Sequence, residues 1–241
     1  MRRAARIAGM LMIVAGVGAV GWVLLVWQWQ DPFTAIYTKY EQHKLASSFA
    51  HRFAEYRPPA RRATSAPPGA RVSLAAEQAQ IKADAAAYRK SLREGEPVGR
   101  LIVPRLGLRA IVVNGTAHDD LTKGPGRELD TFVPGEGELV YIAGHRTTYL
   151  APFAHIDSLR AGDRISFELP YAAFQYEVTG HRIVASDDLA VLRSHHKEVL
   201  ALQACHPRFF ATHRYLAYAK LVRVTPRDGT PYSVAATGPI A

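Results

Sequence analysis

The chain has 241 residues, enough for one or two cores, and its 48% hydrophobic content excludes a disordered polyelectrolyte. A formal net charge of +9 raises nucleic acid as a partner, but residues 1–72 hold 10 Lys/Arg against 3 Asp/Glu, and residues 73–241 hold 20 against 18. The excess positive charge therefore sits where an anionic membrane surface would be met, and no nucleic-acid partner is expected.

From Ile7 to Trp27 no residue is charged, and 21 residues at the helical rise span the roughly 30 Å of a hydrocarbon core. Arg2, Arg3 and Arg6 precede this run and Trp22, Trp27 and Trp29 mark its far end. The positive-inside tendency predicts a single-pass anchor over residues 1–30, with a cytoplasmic N-terminus and everything beyond Trp29 outside the cell. A cleaved signal peptide is the rival, but the run is long and ends in Trp-Gln-Trp-Gln rather than in small residues.

Residues 31–95 read as helical and linker material. Asp31-Pro32 has the form of an N-cap followed by proline in the first turn, and Phe33, Ile36, Tyr37, Tyr40 and Lys44 continue at helical spacing, which predicts a short helix. Residues 57–72 carry four prolines, a glycine and four arginines and read as an extended basic linker. Leu74, Ile81, Ala85, Tyr88 and Leu92 share one face of a second helix ended by Gly95, which either packs on the following domain or acts as a spacer.

Over residues 96–228 the pattern turns to β. Val98–Val103, Leu108–Val113, Leu139–Ala143, Arg164–Leu169, Phe174–Val184, Val199–Ala204 and Tyr215–Val224 are apolar runs separated by turn signals such as Pro104-Arg105-Leu106-Gly107. This density of strands, with helical material near Ala151–Leu159, predicts a mostly β protein, a closed barrel with short helices. Residues 229–241 are a tail.

One cysteine in an exported chain cannot make an internal disulfide, so Cys205 is a free thiol, either a small buried hydrophobe or a nucleophile. It closes one apolar strand, His145 lies just past another, and Arg214 opens the last strand nine residues after the thiol. A thiol attacks as thiolate, an imidazole can take and return its proton, and a guanidinium can hold an oxyanion. Ten histidines in the chain make this trio weak on its own. His195, His196, His206 and His213 lack metal-site spacing, so no metal or cofactor is expected.

The segment Ala143-Gly144-His145-Arg146-Thr147-Thr148-Tyr149-Leu150-Ala151-Pro152-Phe153 resembles the catalytic-histidine segment of sortases, most closely those of class E from Gram-positive actinobacteria. Leu202-Gln203-Ala204-Cys205-His206-Pro207-Arg208-Phe209 and Thr212-His213-Arg214-Tyr215-Leu216 are similar to the family's cysteine-to-arginine segment. The resemblance covers roughly residues 96–225. It implies a barrel of about eight strands, Cys205 as nucleophile, His145 as general acid/base and Arg214 as stabiliser of substrate and oxyanion.

It further implies transpeptidation: cleavage of a Thr–Gly bond in an LPxTG- or LAxTG-type sorting motif of a secreted protein. The acyl group would pass to an amine of a cell-wall precursor or a pilin lysine. Where the family carries Thr-Leu-x-Thr-Cys, this chain has Ala201-Leu202-Gln203-Ala204-Cys205, and the lost hydroxyl beside the nucleophile implies an altered rate or motif preference. Ala204, Tyr149 and Thr147 are the expected substrate contacts. Two rival readings are a barrel retained as a binding module and a thiol peptidase with water as its acceptor. Asp31-Pro32-Phe33 invites comparison with the lid triplet of pilin-building sortases, but its place directly after the membrane span favours a helix start.

Overall fold

A computed structural model describes residues 2–29, 32–58 and 73–234. The Gln30–Asp31 junction, most of the expected linker and the tail from residue 235 lie outside the described residues. Helix α1 (Arg2–Trp29) contains the one segment among them long and apolar enough to cross a membrane, Arg3–Val23, and none of it is buried.

The core is a β-barrel. Its strands are β1 (Pro97–Val103), β2 (Leu108–Asn114), β3 (Gly126–Arg127), β4 (Leu139–Ala143), β5 (Arg164–Glu168), β6 (Ala172–Ala185), β7 (Val199–His206) and β8 (His213–Pro226). They follow in the order β6-β5-β1-β2-β3-β4-β7-β8, and β6 pairing with β8 closes the ring at eight strands. The two-residue β9 (Tyr232–Ser233) pairs antiparallel alongside one end of β8. Closure removes the free edges of β6 and β8, while the two-residue β3 leaves most of one β2 edge without a strand partner. Tight turns join β1 to β2 and β5 to β6: between β1 and β2 the chain reverses through Pro104–Leu106 onto Gly107, whose φ of 61° suits a residue without Cβ.

Alternation along the strands sorts the side chains. On β7, Leu200, Leu202 and Ala204 point into the barrel with Val140 and Ile142 of β4, Phe167 of β5 and Phe174 and Tyr176 of β6. Val199 and Ala201 face the other way, into a separate outer cluster with Leu139, Tyr141 and Leu216 that Val191 and Leu192 cover.

The two helices between α1 and the barrel pack onto the barrel. Helix α3 (Leu74–Ser91), capped by Ser73 accepting from the Ala76 N–H, buries Ile81, Ala85 and Tyr88 in the main core. Tyr88 donates to the Val98 carbonyl at 2.7 Å, and Arg89 pairs with Glu136 at 2.7 Å, so this segment seals the barrel rather than spacing it. Leu74, at the start of the same stripe, is exposed.

Helix α2 (Pro32–Glu55) is longer than its sequence pattern suggests. It lies on β1 and β2 through a stripe of Thr38, Gln42, Leu45 and Phe49. Gln42 replaces a strand neighbour for β2: its amide donates to the Ile111 carbonyl at 3.0 Å and accepts from the Ile111 N–H at 2.8 Å. Thr38 donates to the Thr122 carbonyl at 2.7 Å.

Candidate active site

The site forms where β4, β7 and β8 end on one rim of the barrel. β7 runs two residues further than its apolar run indicates, so Cys205 lies within the ladder, directly opposite Arg214 of β8. Opposed residues on one sheet face hold their Cβ atoms about 5 Å apart. β8 is flanked on its other side by Val184 of β6, which fixes the Arg214 backbone from both edges. Cys205 is half-buried, on the outward face that alternates with the core-facing Ala204. The Arg214 Nη1 donates to the carbonyls of Ala211 at 2.8 Å and His213 at 3.1 Å, so the guanidinium leans toward the loop after the cysteine.

β4 is parallel to β7, with Ala143 level with Gln203, and the Gly144 N–H extends this ladder to the Gln203 carbonyl at 3.0 Å. His145 therefore leaves its strand at the same end, and level with, Cys205. Gly144 is required by packing: a Cβ there would stand 2.6 Å from the ring of the fully buried Phe153.

The loop after His145 is strained. Tyr149, Leu150 and Ala151 have φ of 53°, 59° and 37°, a left-handed run that costs about 1–2 kcal/mol per non-glycine residue. Local hydrogen bonds hold it, from the Ala151 N–H to the Thr148 carbonyl at 2.8 Å and from the Phe153 N–H to the His145 carbonyl at 3.2 Å. A third comes from outside the barrel: the Tyr149 N–H donates to Thr34 Oγ1 of α2 at 3.1 Å.

Tyr149 brings its ring 5.0 Å from that of His145, and His118, on the short helical turn His118–Leu121 (α4) after β2, lies 6.5 Å from His145 and 6.2 Å from Tyr149. The His145 Nε2 is buried with no hydrogen-bond partner among the described residues. Burial first, and then the neighbouring His118, hold the His145 imidazole below its ordinary pKa, so it is predominantly neutral at pH 7 and able to accept a proton.

Of the three expected substrate contacts, Tyr149 stands against the histidine and Thr147 is half-buried in the same loop. Ala204 does not face the site. Its side chain is fully buried in the barrel interior, because a residue adjacent to Cys205 on a strand must point to the opposite face. The missing hydroxyl there is a change inside the barrel core.

Arg146, beside His145, takes a different position from Arg214. It is buried, and its guanidinium donates to Asp157 at 2.6 Å and to the Cys205 carbonyl at 3.3 Å, and meets His206 Nδ1 at 3.1 Å. It ties the histidine loop to the backbone of the cysteine strand. Spacing along the chain carried no sign of the roles of Arg146, His118 and Thr34, since each acts through a contact made only in the fold.

Fold and rim together define a closed β-barrel with a thiol, an imidazole and a guanidinium at the ends of neighbouring strands. The sortase-domain family model matches residues 101–222, half of the chain, and the chain belongs to the sortase family. It is 35% identical over 132 residues to the Sortase D of Bacillus subtilis (strain 168), an alignment covering 53% of this chain and 65% of that relative. Among solved structures, a Clostridium perfringens sortase D transpeptidase superposes with a TM-score of 0.58 at 22% identity, covering 76% of this chain and 98% of that one. The sortase E of Streptomyces avermitilis gives a TM-score of 0.50 at 28% identity, covering 56% and 93%.

Proposed function

We propose that the chain is a membrane-anchored cysteine transpeptidase acting on C-terminal sorting motifs of LPxTG or LAxTG type. The observation that carries this reading is the register: Cys205 opposite Arg214 on adjacent strands, with His145 leaving the neighbouring parallel strand at the same level. Arg2, Arg3 and Arg6 before the apolar span support an anchor with its N-terminus inside the cell.

In this mechanism the neutral His145 takes the thiol proton as Cys205 Sγ attacks the threonine carbonyl carbon of the Thr–Gly bond. Arg214 and nearby backbone N–H groups receive the developing oxyanion. As the C–N bond breaks, His145 returns the proton to the glycine amine and leaves a thioester on Cys205. An acceptor amine of a cell-wall precursor or pilin lysine then attacks the thioester, His145 takes its proton, and the new amide departs as the C–S bond breaks and the thiol is reprotonated.

The class E assignment rests on the two motif segments; the 35% identity to a Sortase D weighs toward the other class, and the preferred sorting motif discriminates between them. The test uses the full chain in detergent with quenched LPxTG and LAxTG peptides, with and without a glycine-based amine. Amine-linked product that disappears in Cys205→Ala supports transpeptidation. Cleavage with no amine-linked product favours the peptidase reading, and no cleavage by a folded protein favours the binding-module reading.

A further inference from the structure

Helix α2 has two faces, and only one is explained by the barrel. Thr38, Gln42, Leu45 and Phe49 face β1 and β2. The opposite face carries Ile36, Tyr37 and Tyr40, exposed by 70%, 46% and 62%, next to the similarly exposed Phe33. These lie at the i, i+3, i+4 and i+7 spacing of an apolar helical stripe. Further along the helix the same outward side changes character, to His43, Lys44, Ser47, Ser48 and His51.

The change tracks distance from α1. That helix ends at Trp29 and α2 begins at Pro32, so Phe33–Tyr40 fall within about 12 Å, measured along the α2 axis, of the start of α2 that follows the membrane-length helix. The Phe33 ring stands 5.8 Å from the ring of Trp22, which belongs to the apolar membrane-length segment itself. Beside the stripe a groove of about 770 Å³ between α2 and the β1–β2 hairpin is lined by Ile36, Tyr40, Lys39, His43 and Arg109. Aromatic side chains with adjacent cations are the chemistry that settles at the headgroup level of an anionic leaflet.

We propose that the first two outward turns of α2, through Ile36, Tyr37 and Tyr40 with Lys39 and Arg109 alongside, dock the catalytic barrel onto the outer surface of a phospholipid bilayer. This rests on the reading of α1 as a membrane anchor. The same turns, on their barrel side, hold the histidine loop through Thr34 and the Tyr149 N–H, so the docked orientation places the site next to the membrane surface. A sticky face this close in sequence to the anchor restricts the barrel to one orientation, whereas a polar face would leave it free to tumble.

The test places a single nitrobenzoxadiazole-labelled cysteine in full-length Cys205→Ala chain reconstituted into vesicles, at Met12→Cys, Ile36→Cys, Tyr40→Cys or His51→Cys. Labels at 36 and 40 are expected to shift to the blue, to be quenched by shallow nitroxide lipids and to be protected from aqueous iodide, while 51 stays open to iodide. Vesicles containing phosphatidylglycerol are expected to give a larger shift than pure phosphatidylcholine, and equal shifts overturn the part assigned to Lys39 and Arg109. Lipid contact at 12 with water-like labels at 36 and 40 overturns the docking alone. A water-like label at 12 overturns the anchor and the docking with it.

Discussion

The two faces of β7 divide stability from chemistry. Inward, Leu200, Leu202 and Ala204 are fully buried and meet the aromatic side chains of the opposite wall. Outward, one residue along from Ala204, Cys205 stands half-buried between Arg214 and the strained loop that carries His145. A single strand thus supplies a rigid wall and a reactive rim, and the rigidity of the first keeps the second in register. The contrast teaches that a reactive thiol here is cheap to change structurally but costly to change chemically, and the reverse holds one residue away.

The largest effect that would sharpen this contrast is expected from Cys205→Ala, which should abolish amide-bond cleavage while leaving the melting temperature close to that of the parent chain. His145→Ala and Arg214→Ala should each lower kcat/KM by about 10²–10³-fold with little loss of stability. A large fall in melting temperature for any of the three would show that the rim is part of the structural wall. On the opposite face, Leu202→Ala should cost about 2–5 kcal/mol in denaturant unfolding, through a cavity in the barrel, and lower activity only as far as it unfolds the chain.

The boundary between the two regions is tested by Gly144→Ala. The added Cβ meets Phe153 at 2.6 Å, so the loop must shift or the ring must move, at a cost of about 1–3 kcal/mol. Because His145 is the next residue, turnover should fall more than stability; parent-like kcat in a destabilised variant would refute the link. Thr34→Val removes an acceptor for the Tyr149 N–H at nearly constant shape, worth about 1 kcal/mol. A fall in kcat of a fewfold is expected, restored by Thr34→Ser.

The smallest effect concerns the charge balance of the rim. Burial and His118 both lower the His145 pKa, so His118→Gln removes one of two depressing influences and the pKa rises. If neutral His145 is the base, the acid limb of kcat/KM moves to higher pH in this variant. Imidazole proton shifts in an NMR titration would read the change directly, and an unmoved midpoint would remove His118 from the electrostatics of the site.

Much of this molecule was legible in the chain because its signals are local. Alternating apolar runs between turns are a consequence of a strand having two faces, so seven of the eight barrel strands followed from the pattern, with the ends of β6, β7 and β8 extended by a few residues in the fold, whereas the two-residue β3 is too short to show alternation. The candidate site was legible through two ordered segments around His145 and Cys205, and the uncharged run from Ile7 through its length alone. Ala204 was misplaced although alternation governs it too: the same period-2 rule that puts Cys205 outside puts its neighbour in the core.

What only the tertiary structure decided are the contacts between segments distant along the chain. Helix α2 is the clearest case. The residues that mark it as a helix, Phe33, Ile36, Tyr37 and Tyr40, are the ones turned away from the barrel, whereas Thr38 and Gln42, polar and unremarked in the sequence, make its docking face. Hydrophobic periodicity records which residues avoid water, but a helix that covers a strand edge is held by hydrogen bonds to that strand's backbone, and those acceptors and donors are the same in every sequence. Thr34 beside Tyr149, His118 beside His145 and Arg146 behind Cys205 belong to the same class, since strand pairing and the docking of α2 bring them together and no spacing along the chain encodes it.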